Sequence, residues 1–183
     1  MPYPNLQFFS PRIRPVLYGL GLTWAVSILV ACGSAPVRAP FPSDSSLNTD
    51  IVTPVTGRLS PEQANDVTLA ALGLVGTPYR YGANTPETGF DCSGLINYVY
   101  QTRASITPPR TTADLTFWGQ SVPKNQLRAG DLVLFGKSTL ANHAGIYVGG
   151  DRFVHAPSTG GMVRLESLDA RHWLAQKPRF KRP

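Results

Sequence analysis

The chain has 183 residues, carries 17 Lys and Arg against 11 Asp and Glu for a net charge of +6, and holds two cysteines, Cys32 and Cys92. Such a length accommodates one ordinary domain plus a leader, and two cysteines are too few for a disulfide framework. The modest positive balance falls short of a nucleic-acid-binding signature, so no nucleic-acid partner is expected.

The first feature in chain order is an apolar run, VLYGLGLTWAVSILV from Val16 to Val30, preceded by Arg12 and Arg14. It is shorter than the roughly 20 residues that span a membrane and suits the core of a secretory signal. LVAC, Leu29 to Cys32, resembles a bacterial lipobox. That resemblance implies a signal peptide over 1–31, cleavage before Cys32 and acylation of its thiol. Gly33 stands where an inner-membrane retention signal would place Asp, which implies an outer-membrane lipoprotein with its domain in the periplasm. An acylated Cys32 cannot pair, so Cys92 is left as an unpartnered thiol in an oxidising compartment. Cleavage removes two of the 17 basic residues and no acidic ones, leaving 15 against 11. The resulting net charge of +4 suits work near an anionic polymer.

Residues 32–59 then hold four prolines and four serines without a sustained period, the composition of a linker. The remaining stretch, 60–183, is enough for one core and not for two. It begins with a helix: Ser60 as N-cap, Pro61 at the first position and Gln63 completing a capping box. Ala64, Val67, Ala71 and Leu74 recur at helical spacing, and Gly76 marks the stop. After a turn-rich loop, TPYRYGANTPETGF, a second helix opens at Cys92 with Asp91 as N-cap and Leu95, Ile96 and Val99 as its apolar stripe. The period then changes to short strands at 131–136, 143–149, 152–156 and 162–167. Helices followed by a strand meander predict an α+β fold. The basic end, KPRFKRP, reads as a solvated tail.

Cys92 falls in the first turn of its helix, where free N–H groups and the helix dipole favour a thiolate over a thiol. A nucleophilic thiol needs a base, and the base needs a third group to hold its ring. His143 and His155 lie on consecutive predicted strands and supply both. Metal binding is the rival use of one Cys and two His, but no further Cys or His is spaced to complete a site. His172 lies outside the constellation and is read as structural. No cofactor or metal is expected.

GTPYRYG, GFDCSGLINYVY, PRTTADL, RAGDLVLF, HAGIYVGGDRFVHAPS and Trp173 occur in the order and approximate spacing of the NlpC/P60 cysteine peptidases, a resemblance covering about residues 66 to 178. It implies a papain-like α+β core and hydrolysis of peptides in the bacterial cell wall. By the same resemblance Cys92 is the nucleophile, His143 the general base and His155 the group orienting His143. The Tyr79 hydroxyl would help stabilise an oxyanion, and Asp91 and Ser93 would contact substrate. The implied partners are peptidoglycan stem peptides and, through Cys32, the membrane; the domain is expected to act as a monomer. The resemblance is imperfect at Ala83, where a second glycine is usual, at Leu115, where many members carry Gln, and in a Tyr79–Cys92 loop about one residue longer than the family's. These departures bear on substrate preference rather than on the triad. An inactive wall-binding adaptor, or amidase and acyl-transfer chemistry on the same residues, are the competing readings.

The two imidazoles can meet only if the strand parity allows it. A regular two-residue turn at Gly150 and Asp151 would pair Ile146 with His155 and turn the rings to opposite faces. An odd loop or a bulge pairs Gly145 with His155 instead and brings His143 within a diagonal step. The hairpin is therefore expected to carry one or the other, with the rings meeting on the face towards Cys92.

Overall fold

The computed structural model describes residues 55–183. The signal segment, Cys32 and most of the 32–59 linker lie outside the described residues. Helix α1 spans Pro61–Gly73, and its capping box is formed: the Gln63 N–H donates to Ser60 Oγ, and the Ser60 N–H donates to Gln63 Oε1. Such a cap is worth about 1 kcal/mol. Val67 and Ala71 are the helix's buried residues; the chain turns off it at Leu74, two residues before Gly76. Short strands β1 (Asn84–Thr85) and β2 (Gly89–Phe90) pair within the loop that the sequence reads as turns.

Helix α2 runs Cys92–Ala104 and buries Leu95, Ile96, Val99 and Tyr100. It is followed by one turn of helix, α3 (Thr112–Leu115), and strand β3 (Gln120–Ser121). Strands β4 (Leu132–Phe135), β5 (His143–Gly149), β6 (Arg152–His155) and β7 (Arg164–Ser167) form the expected meander. The short helix α4 (Arg171–Leu174) and strand β8 (Arg179–Arg182) end the domain. All neighbours in the six-stranded sheet are antiparallel, in the order β3-β8-β4-β5-β6-β7.

Alternation along the strands divides the sheet into two faces. One carries Leu132, Leu134, Ala144, Ile146 and Val154 into the main core beneath α1 and α2. The other carries Val133, Phe135, Tyr147 and Phe153, covered by Leu168 and Trp173.

The basic end is not a solvated tail. Arg179–Arg182 pairs with both β3 and β4, and Arg182 is 5% exposed. Its guanidinium grips Asp131, itself 2% exposed, in a fork: Nε to Oδ1 at 2.9 Å and Nη2 to Oδ2 at 2.8 Å. Its remaining donors reach the carbonyls of Val55 and Gln126. A buried charge is tolerable when paired and fully hydrogen-bonded in this way. The Arg58 N–H also donates to the Pro183 carbonyl, and Leu59 packs against the main core, so residues 55–59 lie on the domain.

Candidate active site

The loop from Tyr79 to Phe90 is anchored to the start of α2. Asp91 caps that helix through the Gly94 N–H (2.6 Å) and accepts the Gly82 N–H (2.9 Å), so one carboxylate holds helix and loop together. Gly94 is required here because a Cβ at that position would run into the Ala83 carbonyl, which accepts the Asp91 N–H. Arg110 completes the cluster: its Nη1 donates to Asp91 Oδ1 (3.1 Å) and Ser93 Oγ (3.0 Å), and its Nη2 to the Gly82 carbonyl (3.2 Å). The Ser93 hydroxyl reaches the Arg110 carbonyl at 2.6 Å. Burial alone would raise the Asp91 carboxyl, but Arg110 and the Gly94 N–H hold it below its ordinary value. Asp91 and Ser93 therefore brace the helix start through Arg110. Sequence reasoning did not single out Arg110, although it lies in the PRTTADL motif.

Cys92 is a half-buried thiol, unpaired among the described residues. The expected preference for thiolate does not hold for the isolated group. Burial pushes the thiol up, the Asp91 carboxylate adds to that, and the N–H groups of Ser93, Ala144 and Cys92 only partly offset them. The residue that caps the helix thus opposes the helix dipole it completes. The Ala144 contact puts the sulfur beside β5, one residue from His143.

The hairpin parity is settled by a bulge. Gly149 pairs with Arg152 across a two-residue turn whose Gly150 and Asp151 have φ of +59° and +52°, as a type I′ turn demands. The register then shifts between Gly149 and Tyr147, leaving Val148 as the extra residue, and Tyr147 faces Phe153. Continued down the ladder, Gly145 comes opposite His155. A Cβ at Gly145 would lie 2.7 Å from Phe153 Cδ2, 2.8 Å from the Val154 carbonyl oxygen and 3.2 Å from His155 Cβ, so glycine makes room for the crossing. His143 Nε2 meets His155 Nδ1 at 2.8 Å.

The rings lie with Phe135, Phe153 and Trp173, opposite the face that α2 covers; His143 is stacked on Trp173 at 5.5 Å, and His155 meets it edge-on at 5.1 Å. Cys92 opens α2, and its sulfur takes the N–H of Ala144, the strand residue that follows His143. With Nε2 engaged by His155, Nδ1 is the His143 nitrogen available to the thiol. Burial lowers His143 to about 3 and His155 to about 4, so both imidazoles are neutral at neutral pH. Tyr79 is half-buried, and its hydroxyl is raised by burial and then by the charges of Cys92 and Asp91. Among the described residues no group of three His, Cys, Asp or Glu side chains is placed to hold a metal ion. His172, read as structural, is exposed and lies 3.4 Å from Glu166.

A thiol at a helix start against the strand that carries a neutral imidazole, with a second imidazole hydrogen-bonded to the first, is an arrangement suited to a cysteine nucleophile with a base and an orienting group. The family model described as NlpC/P60 family matches residues 76–182, and the chain belongs to that family. Murein DD-endopeptidase MepH of Escherichia coli (strain K12) is 40% identical over 104 residues, which cover 54% of this chain and 38% of MepH. Murein DD-endopeptidase MepS/Murein LD-carboxypeptidase of the same organism is 37% identical over 98 residues, covering 54% of this chain and 51% of that protein. The chain thus spans about half or less of the length of these curated relatives. Among solved structures, the NlpC/p60 domain of peptidoglycan hydrolase SagA superposes with a TM-score of 0.57 at 32% identity, covering 66% of this chain and 97% of that one.

Proposed function

We propose that this chain is a peptidoglycan hydrolase, a thiol endopeptidase acting on stem peptides. The observation that carries the reading is the 2.8 Å contact between His143 Nε2 and His155 Nδ1, which leaves His143 Nδ1 free to serve Cys92. The raised thiol and lowered imidazole mean that the resting pair is neutral. Cys92 Sγ therefore attacks the amide carbonyl carbon as its proton passes to His143 Nδ1. The oxyanion is met by the Cys92 N–H and the Tyr79 hydroxyl. His143 then gives its proton to the leaving amine, and a water, deprotonated by the same nitrogen, releases the acyl group from sulfur.

The scissile bond we favour is the D-Ala–diaminopimelate cross-link, over the γ-D-glutamyl–diaminopimelate bond within one stem. The names of MepH and MepS support that choice. We further propose that acylation of Cys32 tethers the domain to the outer membrane, facing the periplasm and the wall, and that it works as a monomer.

The test is to incubate the full chain and its Cys92→Ala variant with purified sacculi and to identify the released fragments by mass spectrometry. Loss of cross-linked dimers, absent with the variant, is expected. Binding to sacculi without release would turn the reading to a wall-binding protein. Stem fragments cut after γ-D-Glu would move the bond.

A further inference from the structure

The base–orienter pair continues to a carboxylate that the mechanism above does not use. β7 pairs with β6 so that Arg164 lies opposite His155 and Glu166 opposite Phe153, all on the Trp173 face. Glu166 Oε1 lies 3.6 Å from His155 Nε2 and accepts from Arg164 Nε; Oε2 accepts from Trp173 Nε1 and lies 3.4 Å from His172 Nε2. His155 is fully buried, and its Nε2 makes no hydrogen bond among the described residues, with the Glu166 carboxylate facing it at 3.6 Å. The charged or titratable groups around it are His143 on β5, Arg164 and Glu166 on β7, and His172 on α4.

Two tautomers of the pair are possible, and they differ in what the thiol meets. If His155 carried its proton on Nδ1, it would donate to His143 Nε2. His143 would then hold its proton on Nδ1 and present an N–H, useless as a base, to Cys92. The buried Nε2 lone pair of His155 would also confront a carboxylate oxygen, which is unfavourable in a dry site. With the proton on His155 Nε2, directed at Glu166, His155 Nδ1 accepts from His143 Nε2–H, and His143 Nδ1 keeps its lone pair for the thiol proton. Arg164, Trp173 and His172 hold the carboxylate in place from three sides.

We propose that Glu166 is a positioning residue, which selects through His155 the tautomer in which His143 presents its Nδ1 lone pair to Cys92. The inference rests on the proposed role of His143. No proton reaches Glu166 in the cycle; it steadies the imidazolium that forms when His143 takes the thiol proton, as the carboxylate of a serine-protease triad does. Neutralisation of Glu166 by acid is opposed by its partners: burial raises the carboxyl, but the Trp173 N–H, His155 and Arg164 outweigh it and hold it below the ordinary value.

The direct test is long-range proton–nitrogen NMR of the histidines in the intact chain near pH 7. Both His143 and His155 should show the Nε2–H tautomer, and an Nδ1–H His155 would overturn the proposal. Glu166→Met, similar in length but with no acceptor, should mix the tautomers and lower kcat on the order of 10- to 100-fold with KM little changed, part of what general acid–base catalysis supplies. Glu166→Gln keeps an acceptor oxygen and should recover most of the loss. Wild-type kcat and tautomers in a folded Glu166→Met protein would also overturn the proposal, and if that variant does not fold, the intact-chain spectrum decides. The spectrum needs no turnover: Nε2–H tautomers in a chain that fails to cut sacculi would defeat the hydrolase reading and leave the positioning role standing.

Discussion

Two neutral imidazoles buried against Trp173 make the domain's stability sensitive to mild acid. In the unfolded chain a histidine titrates near its ordinary value of 6.5, whereas His143 and His155 are lowered to about 3 and about 4 in the fold. The folded-state values are depressed, so between these limits the unfolded state binds more protons and stability falls with falling pH. Near pH 5.5 the difference approaches two protons, a slope of about 2 to 3 kcal/mol per pH unit at 1.36 kcal/mol per proton per unit. Integrated from pH 7 to pH 5, the loss is roughly 4 kcal/mol, a large fraction of the 5–15 kcal/mol that holds a typical domain together. The window is clean, because ordinary carboxylates titrate below it. Urea unfolding at half-unit pH steps measures the slope directly, and His155→Gln should roughly halve it. A stability that stays flat between pH 7 and pH 5 would refute the dry, neutral pair.

Two further outcomes follow from single contacts, and a third tests the proposed lipid site. Arg182→Ala should cost roughly 3–5 kcal/mol by stranding the buried Asp131 carboxylate, with the paired change Arg182→Met plus Asp131→Leu recovering most of it in denaturant titrations. Gly145→Ala should destabilise by about 1–3 kcal/mol through overpacking on Phe153 and the Val154 carbonyl; it should also lower kcat well below the unfolding temperature, because His155 must shift from His143. Cys32→Ser should abolish incorporation of labelled fatty acid, and incorporation that survives the change would remove Cys32 as the lipid site.

What could be read without a structure was local or periodic. The Ser60 capping box, Asp91 at the helix start and the four meander strands follow from short-range rules, and the structure reproduces them. Parity arithmetic required a bulge or an odd loop, and the bulge at Val148 supplies it. The rest depended on partners distant in sequence. Arg182 looks solvated in KPRFKRP because a charge run usually is; its burial is decided by Asp131, 51 residues away. Cys92 sits where a helix dipole lowers a thiol pKa, yet burial, which only packing creates, and the neighbouring Asp91 reverse the sign. Arg110, although it lies in the PRTTADL motif, and Glu166 each gain a role only from side chains that the fold brings to them. Local pattern and spacing were enough to single out Cys92, His143 and His155 as candidates and to place them on their helix and strands. Tertiary structure alone decided which face the imidazoles share and what charge each group holds, because desolvation and cross-strand contact exist only once the chain is packed.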